Sequence, residues 1–215
     1  AQTVRRVNVG YDLLFTLTQC FLRALDRPEL DLLVVGVGGG AEIERFLPGN
    51  PGWRLSGVDP SREMLTLAQA KVEELGVRER VTLLRGTVED LAAEARFDAA
   101  TCLFVLHFLP DEAKRDTLRG IARRLRPGAP VLVASGGRVG VGDLGTDFRG
   151  AWQRYGESMG MPAERMATII EGLIAQQTNA TPAEDYERLL HEAGFSQVAS
   201  FFNVMSGGIG AWIAR

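Results

Sequence analysis

The segment Val35-Gly36-Val37-Gly38-Gly39-Gly40-Ala41-Glu42 restricts its own chemistry more than any other in this chain. Glycines where an apolar run gives way to a helical pattern let the backbone turn sharply, and a ligand can then approach the main chain with no Cβ between them. The spacing satisfies GxGxG through Gly36, Gly38 and Gly40, and also GxGxxA through Gly36, Gly38 and Ala41. Asp59 closes the next apolar run, where a carboxylate can accept both hydroxyls of a ribose. Turn and acid together point to an adenosine-containing ligand. The purely structural alternative is a tight turn with a capping aspartate.

Glu42 discriminates among adenosine ligands. In the first turn of a helix it competes with a pyrophosphate for the same positive helix end. A sulfonium such as S-adenosylmethionine (SAM) has no phosphate and brings positive charge, so it tolerates a carboxylate there. Of the two histidines, His107 lies beyond a strand end, on the edge where open parallel sheets bind ligands. Its ordinary pKa suits a general base, and lining a pocket or capping a helix is the alternative. His191 sits among Leu189, Leu190 and Ala193 and reads as structural. Tyr11 is either an active-site wall or simple packing. Trp152 and Tyr155, with Met159, Met161 and Met166, fit a core at helical spacing or a lid over a small molecule. Arg138, Arg149, Arg154 and Arg165 suit an acidic substrate or a solvated face.

These residues are positioned by alternating elements. Helical spacing runs from Val4 to Leu25, ending near Pro28. Apolar runs at 31–36, 53–58, 81–84, 97–105 and 131–134 read as strands buried on both faces. Helices fall between them: Ala41 to Leu47; a helix capped by Ser61 and stopped at Gly76; and one capped by Asp111 that ends before Pro127-Gly128. Gly136 to Gly150, with six glycines, reads as a loop. Helices follow over 151–177, broken at Pro162, and over 182–193. Two final strands, 197–204 and 210–215, are joined by Ser206-Gly207-Gly208, a turn short enough to force antiparallel pairing. The alternation implies right-handed crossovers and helices on both faces of the sheet.

The 215 residues are 46% hydrophobic with a net charge of −3, which suits one folded domain and excludes disorder. Basic residues are interleaved with acids, so nucleic acid is not an expected partner. The run Arg123, Arg124 and Arg126 falls at a helix C-terminus, where the dipole favours positive charge. Ala99 to Leu109, the most apolar stretch, is about half the ~20 residues a bilayer requires. Cys20 and Cys102 form no metal or disulfide pattern, so no metal is expected. No apolar leader is visible, so the cytoplasm is the expected compartment.

The chain resembles the class I SAM-dependent methyltransferases over nearly its whole length. Five segments carry the likeness: Leu33 to Gly40, Gly57 to Leu65, Phe97-Asp98 through Leu109, Leu125 to Ala129, and Leu189 to Phe195. The resemblance implies a three-layer, Rossmann-like α/β domain spanning 1–215. Its seven-stranded sheet would be mostly parallel with an antiparallel last strand, under a helical cap from 1–27 and about 136–177. It implies transfer of a methyl group from SAM to oxygen, nitrogen or carbon of a small molecule. A homodimer is the candidate assembly. Gly36, Val37, Gly38 and Gly40 would meet the methionine part, and Asp59 the ribose. Pro60 and Met64 would lie against adenine, Thr87 and Val88 along its edge, and Leu103 and Phe104 below the sulfonium. His107 would be the catalytic candidate, and Tyr11, Trp152, Tyr155 and Arg165 the substrate candidates.

Two positions depart from the family pattern. Val34 replaces an acid that holds the cofactor's amino group through water, and Thr87 replaces an aspartate that recognises adenine. Glu42 and Glu89 are candidate substitutes. A narrower likeness, to carboxy-SAM synthases, rests on Leu103 to Leu109, Phe201-Phe202-Asn203 and Arg165, with Leu103 where that branch has asparagine. An NAD(P)-dependent oxidoreductase or a non-catalytic SAM-binding module would also account for the glycine turn and Asp59.

Overall fold

A computed structural model describes residues 6–137, 145–175, 179–204 and 208–215. Its strands are β1 (Leu30–Val35), β2 (Trp53–Asp59), β3 (Val81–Arg85), β4 (Ala99–Leu103), β5 (Val131–Gly136), β6 (Val198–Val204) and β7 (Ile209–Ala214). They form one seven-stranded sheet in the order β3-β2-β1-β4-β5-β7-β6. The pairs among β1 to β5 are parallel, and β7 runs antiparallel to both β5 and β6. The helices are α1 (Tyr11–Arg23), α2 (Ala41–Phe46), α3 (Arg62–Glu74), α4 (Asp111–Arg124), α5 (Gly145–Ser158), α6 (Ala163–Ala175) and α7 (Asp185–Glu192). Among the described residues no helix is long and apolar enough to cross a membrane.

β1 shows why the central strands lack polar alternation. Leu32 and Val34 join the core beneath α1, α2 and α3, with Leu14, Phe15, Phe46 and Val72. Leu33 and Val35 join the opposite core with Leu118 of α4 and Tyr186, Leu189 and Leu190 of α7. Both faces are covered, so both sets of side chains are apolar. A third cluster packs α5 and α6 against the N-terminal segment through Val7, Trp152, Met166 and Ile170.

The boundaries follow local chemistry. The Ser61 hydroxyl accepts the Met64 amide at 3.2 Å, which fixes the start of α3, and Gly76 (φ +64°) ends that helical segment. Four expectations are corrected. The N-terminal helical run is interrupted: Arg6 and Val7 are helical, the chain turns over residues 8–10 with Gly10 at φ +74°, and helix resumes at Tyr11; residues 4 and 5 lie outside the described residues. Pro110, not Asp111, occupies the cap of α4. The fourth strand stops at Leu103, because Phe104 takes a left-handed φ of +61°. Part of the expected glycine loop, 145–150, is helix. Gly156 explains how a glycine-bearing helix is kept: α5 lies so close to α6 that a Cβ there would meet the Met166 sulfur at 2.3 Å. Packing thus outweighs low propensity. Residues 138–144, 176–178 and 205–207 of the expected loop, helix and turn lie outside the described residues.

Candidate functional site

β1 and β4 are neighbours whose chains leave in opposite directions across the sheet, and a crevice opens outside the carboxyl ends of strands at such a switch point. A cleft of about 430 Å³ lies here. Its floor is Gly36, Val37 and Gly38 after β1 with Leu103 at the end of β4 and Phe104 just beyond it, and Met64 of α3 and Tyr11 of α1 stand at its sides. His107, Phe108 and Trp152 complete the described wall beneath the cap. Because β7 is antiparallel to β5, Ile209 pairs with Gly136 and is delivered to the same edge.

The turn is built from positive φ values at Gly36 (+74°), Gly38 (+51°) and Gly40 (+85°), which have different duties. A Cβ on Gly36 would meet Val105 at 2.2 Å, and one on Gly40 would meet the Ala68 backbone of α3 at 3.3 Å. Gly40 therefore lets α2 and α3 approach and lies outside the cleft lining. Gly38 has no close neighbour and faces the cleft. Its amide donates to one Asp59 carboxylate oxygen and the Ser61 amide to the other, both at 2.9 Å. Asp59, buried at the end of β2, thus ties the glycine turn to the start of α3. Each oxygen keeps a lone pair for a ligand hydroxyl.

Glu42, only 3% exposed, is the one charged side chain among the described residues lining the cleft. Burial pushes its carboxyl up to about 8, against the opposing pull of Arg45. Arg45 itself lies over the rings of Tyr11 and Phe15 and pairs with Asp12. His107 is held from β5: the Gly136 amide donates to its Nδ1 at 3.2 Å, and the Ser135 hydroxyl lies 3.3 Å from the same atom. Burial and the Lys114 ammonium lower its pKa to about 4. Phe104 holds its unfavourable backbone while stacking on Tyr11 at 5.6 Å, and backbone strain of this kind gathers at functional sites.

The structure therefore brings together Tyr11, Gly36, Val37, Gly38, Met64, Leu103, Phe104, His107 and Trp152. Asp59 stands behind the glycine turn, bonded to the Gly38 amide, and is not itself in the cleft lining; the remaining candidates are not brought in. Pro60 is exposed, and Thr87 caps a 3₁₀ turn with Asp90. Val88 is buried beside α4, Tyr155 is half-buried away from the cleft, and Arg165 is exposed. Glu89 is turned to Arg123, at 2.8 Å. Arg138 lies outside the described residues. His191 is structural, with its Nδ1 on the Phe195 carbonyl at 2.9 Å. Sequence reasoning did not find Asn8, Val9, Phe15 or the Ser135–Tyr186 pair. Only Ser135-Gly136, at the end of an apolar strand run, carried a signal.

A glycine turn, a β2-end carboxylate and a cleft at the switch point are the arrangement by which open α/β sheets bind nucleosides. Residues 32–128 match the methyltransferase domain family. The ubiquinone biosynthesis O-methyltransferase of Alkalilimnicola ehrlichii is 36% identical over 106 residues, 48% of this chain and 40% of the relative. The erythromycin 3''-O-methyltransferase of Saccharopolyspora erythraea is 28% identical over 193 residues, 86% of this chain and 58% of the relative. This chain thus spans about half the length of these relatives. Magnesium protoporphyrin IX methyltransferase from Synechocystis PCC 6803, solved with bound SAH, shares the fold with a TM-score of 0.67 at 17% identity, covering 98% of this chain and 85% of its own. Residues 32–128 are thus similar to methyltransferase domains, and the whole chain shares the fold of a methyltransferase solved with bound SAH.

Proposed function

We propose that this chain, as one capped domain, transfers the methyl group of SAM to an oxygen of a small, largely apolar acceptor that carries no carboxylate or phosphate group. The observation that carries the reading is the pairing of a glycine turn tethered to Asp59 with a buried carboxyl, Glu42, in a cleft with no lysine or arginine among its described lining residues. A cationic ligand fits this cleft, because its ammonium or sulfonium stabilises the ionised form of Glu42 that burial opposes. A dinucleotide would place its pyrophosphate beside Glu42 without a basic partner. A carboxy-SAM-type reaction would need a cation for its acid co-substrate, and Arg165 is exposed and outside the cleft. The oxygen acceptor is suggested by the O-methyltransferase relatives.

When bound, SAM supplies a carbon activated by its sulfonium. The chain's own residues do the rest. Asp59 and the Gly38 turn fix the nucleoside and Glu42 holds the methionyl ammonium, replacing the acid that Val34 lacks. Leu103 and Phe104 form the floor. Tyr11, Phe108 and Trp152 exclude water and align the acceptor; such orientation is worth roughly 7–11 kcal/mol of barrier. The test is calorimetric titration of SAM, SAH and NADH into wild type and Asp59→Ala. Binding of the first two to wild type, rejection of NADH and a loss of at least about tenfold in the variant are expected, since a charge-assisted hydrogen bond contributes about 1.5–3 kcal/mol. NADH binding in preference to SAM would overturn the reading.

A further inference from the structure

We infer that His107 is locked as the Nε2–H tautomer and presents that N–H to the acceptor as a hydrogen-bond donor, not as a base. The lock is geometric. The Gly136 amide points at Nδ1 from 3.2 Å, and a backbone N–H can only donate. Nδ1 must therefore carry its lone pair, and a neutral imidazole then has its proton on Nε2.

A second donor chain reinforces the assignment. The buried Tyr186 hydroxyl donates to the Ser135 oxygen at 2.6 Å, leaving the Ser135 proton to turn toward Nδ1 at 3.3 Å or toward the Gly136 carbonyl at 3.4 Å. Tyr186 is itself fixed by stacking on Trp212 at 4.5 Å. Burial opposes a second proton on the ring, and so does the Lys114 ammonium. Nε2 lies on the far side of the ring from β5 and has no hydrogen-bond partner among the described residues, while His107 lines the cleft.

This inference rests on the methyltransferase reading of the cleft and narrows its acceptor. A nitrogen already carrying hydrogen cannot collect the acceptor's proton, and protonation at Nδ1 would break the Gly136 bond. The acceptor is therefore an acidic phenol or enol. Its oxygen gives up its proton to water before transfer, and Nε2–H stabilises the resulting anion. That oxygen then forms the bond to the methyl carbon, and the sulfur keeps the electron pair of the broken C–S bond, leaving SAH. Aliphatic alcohols, which do not ionise this way, are excluded.

The experiment is two-bond ¹H–¹⁵N correlation NMR on the histidine-labelled full chain, which has only two histidines. His191 provides an internal contrast, because its Nδ1 must donate to the Phe195 carbonyl. The expected spectrum has opposite tautomers: Nε2–H for His107, unchanged from about pH 8 to 5 with or without SAH, and Nδ1–H for His191 in its neutral form. Adding 4-nitrophenol to the SAH complex should shift the His107 Nε2–H proton and make the bound probe ionise at lower pH than in solution. A His107 Nδ1–H tautomer, or titration near its ordinary value, overturns the inference. So does an Nε2–H resonance unmoved by saturating probe. Failure of SAH itself to bind would instead remove the methyltransferase reading and leave the tautomer result standing.

Discussion

Glu42, kept neutral by burial up to about pH 8, has to lose its proton when a cation enters the cleft. Arg45 and the Cys102 thiol are the groups coupled to it, and Cys102 is itself pushed up to about 12. SAM affinity should therefore rise with pH toward about 8, at up to about tenfold per pH unit, with proton release detectable by calorimetry in buffers of different ionisation enthalpy. Glu42→Gln should flatten this profile and weaken binding about 10- to 100-fold at pH 8; an unchanged profile would remove Glu42 from the cofactor site. The glycines offer a second test. Gly38→Ala adds a methyl facing the cleft at a cost of about 1–2 kcal/mol, so SAM affinity should drop while the fold persists. Gly40→Ala should chiefly lower the urea midpoint, because its Cβ meets backbone. At this scale the sequence was readable where a residue type has few structural uses, as with the positive-φ glycines of the turn after β1. It was silent where identity depends on tertiary neighbours: Thr87 and Val88 suit a cofactor edge equally well as the cap and buried packing they are.

Elements were legible in proportion to how much of their stability is local. β1, β2 and β5 announce themselves as short apolar runs, and Ser61 marks its helix start. α5 was missed over 145–150 because its glycines read as a loop, whereas its stability comes from close contact with α6 at Gly156 and Met166. The cap is fastened by Trp152, whose indole N–H donates to the Val7 carbonyl at 2.7 Å in a buried setting. Trp152→Phe would leave that carbonyl unpaired, costing about 1–3 kcal/mol. Faster amide exchange in α5 and weaker acceptor binding, with SAM affinity nearly preserved, are the expected result; equal loss of both would place Trp152 at the nucleoside instead.

The whole molecule combines two opposed titrations. Glu42 carries a raised pKa in the folded state, 4.5 to about 8, so the folded protein holds the extra proton and stability falls as pH rises across that window. His107 carries a lowered one, 6.5 to about 4, so stability falls as pH drops through that window. Between about pH 4.5 and 6.5 the two slopes nearly cancel, and above that only the Glu42 slope remains, at about 1.4 kcal/mol per pH unit. Urea midpoints of ligand-free protein should hold level and then decline toward pH 8. Glu42→Gln should abolish that decline. The parallel sheet and its antiparallel end were readable from the order of apolar runs, since topology follows from that order. The shape of the cleft was not, because it is made where the cap, β7 and the switch point meet, from residues scattered from Asn8 to Ile209.

Calorimetric titration of SAM into the purified chain at pH 8 bears most directly on the account. It expects one site per chain with a Kd well below about 1 mM, tighter than at pH 6. No heat and no thermal shift at millimolar SAM or SAH would contradict it.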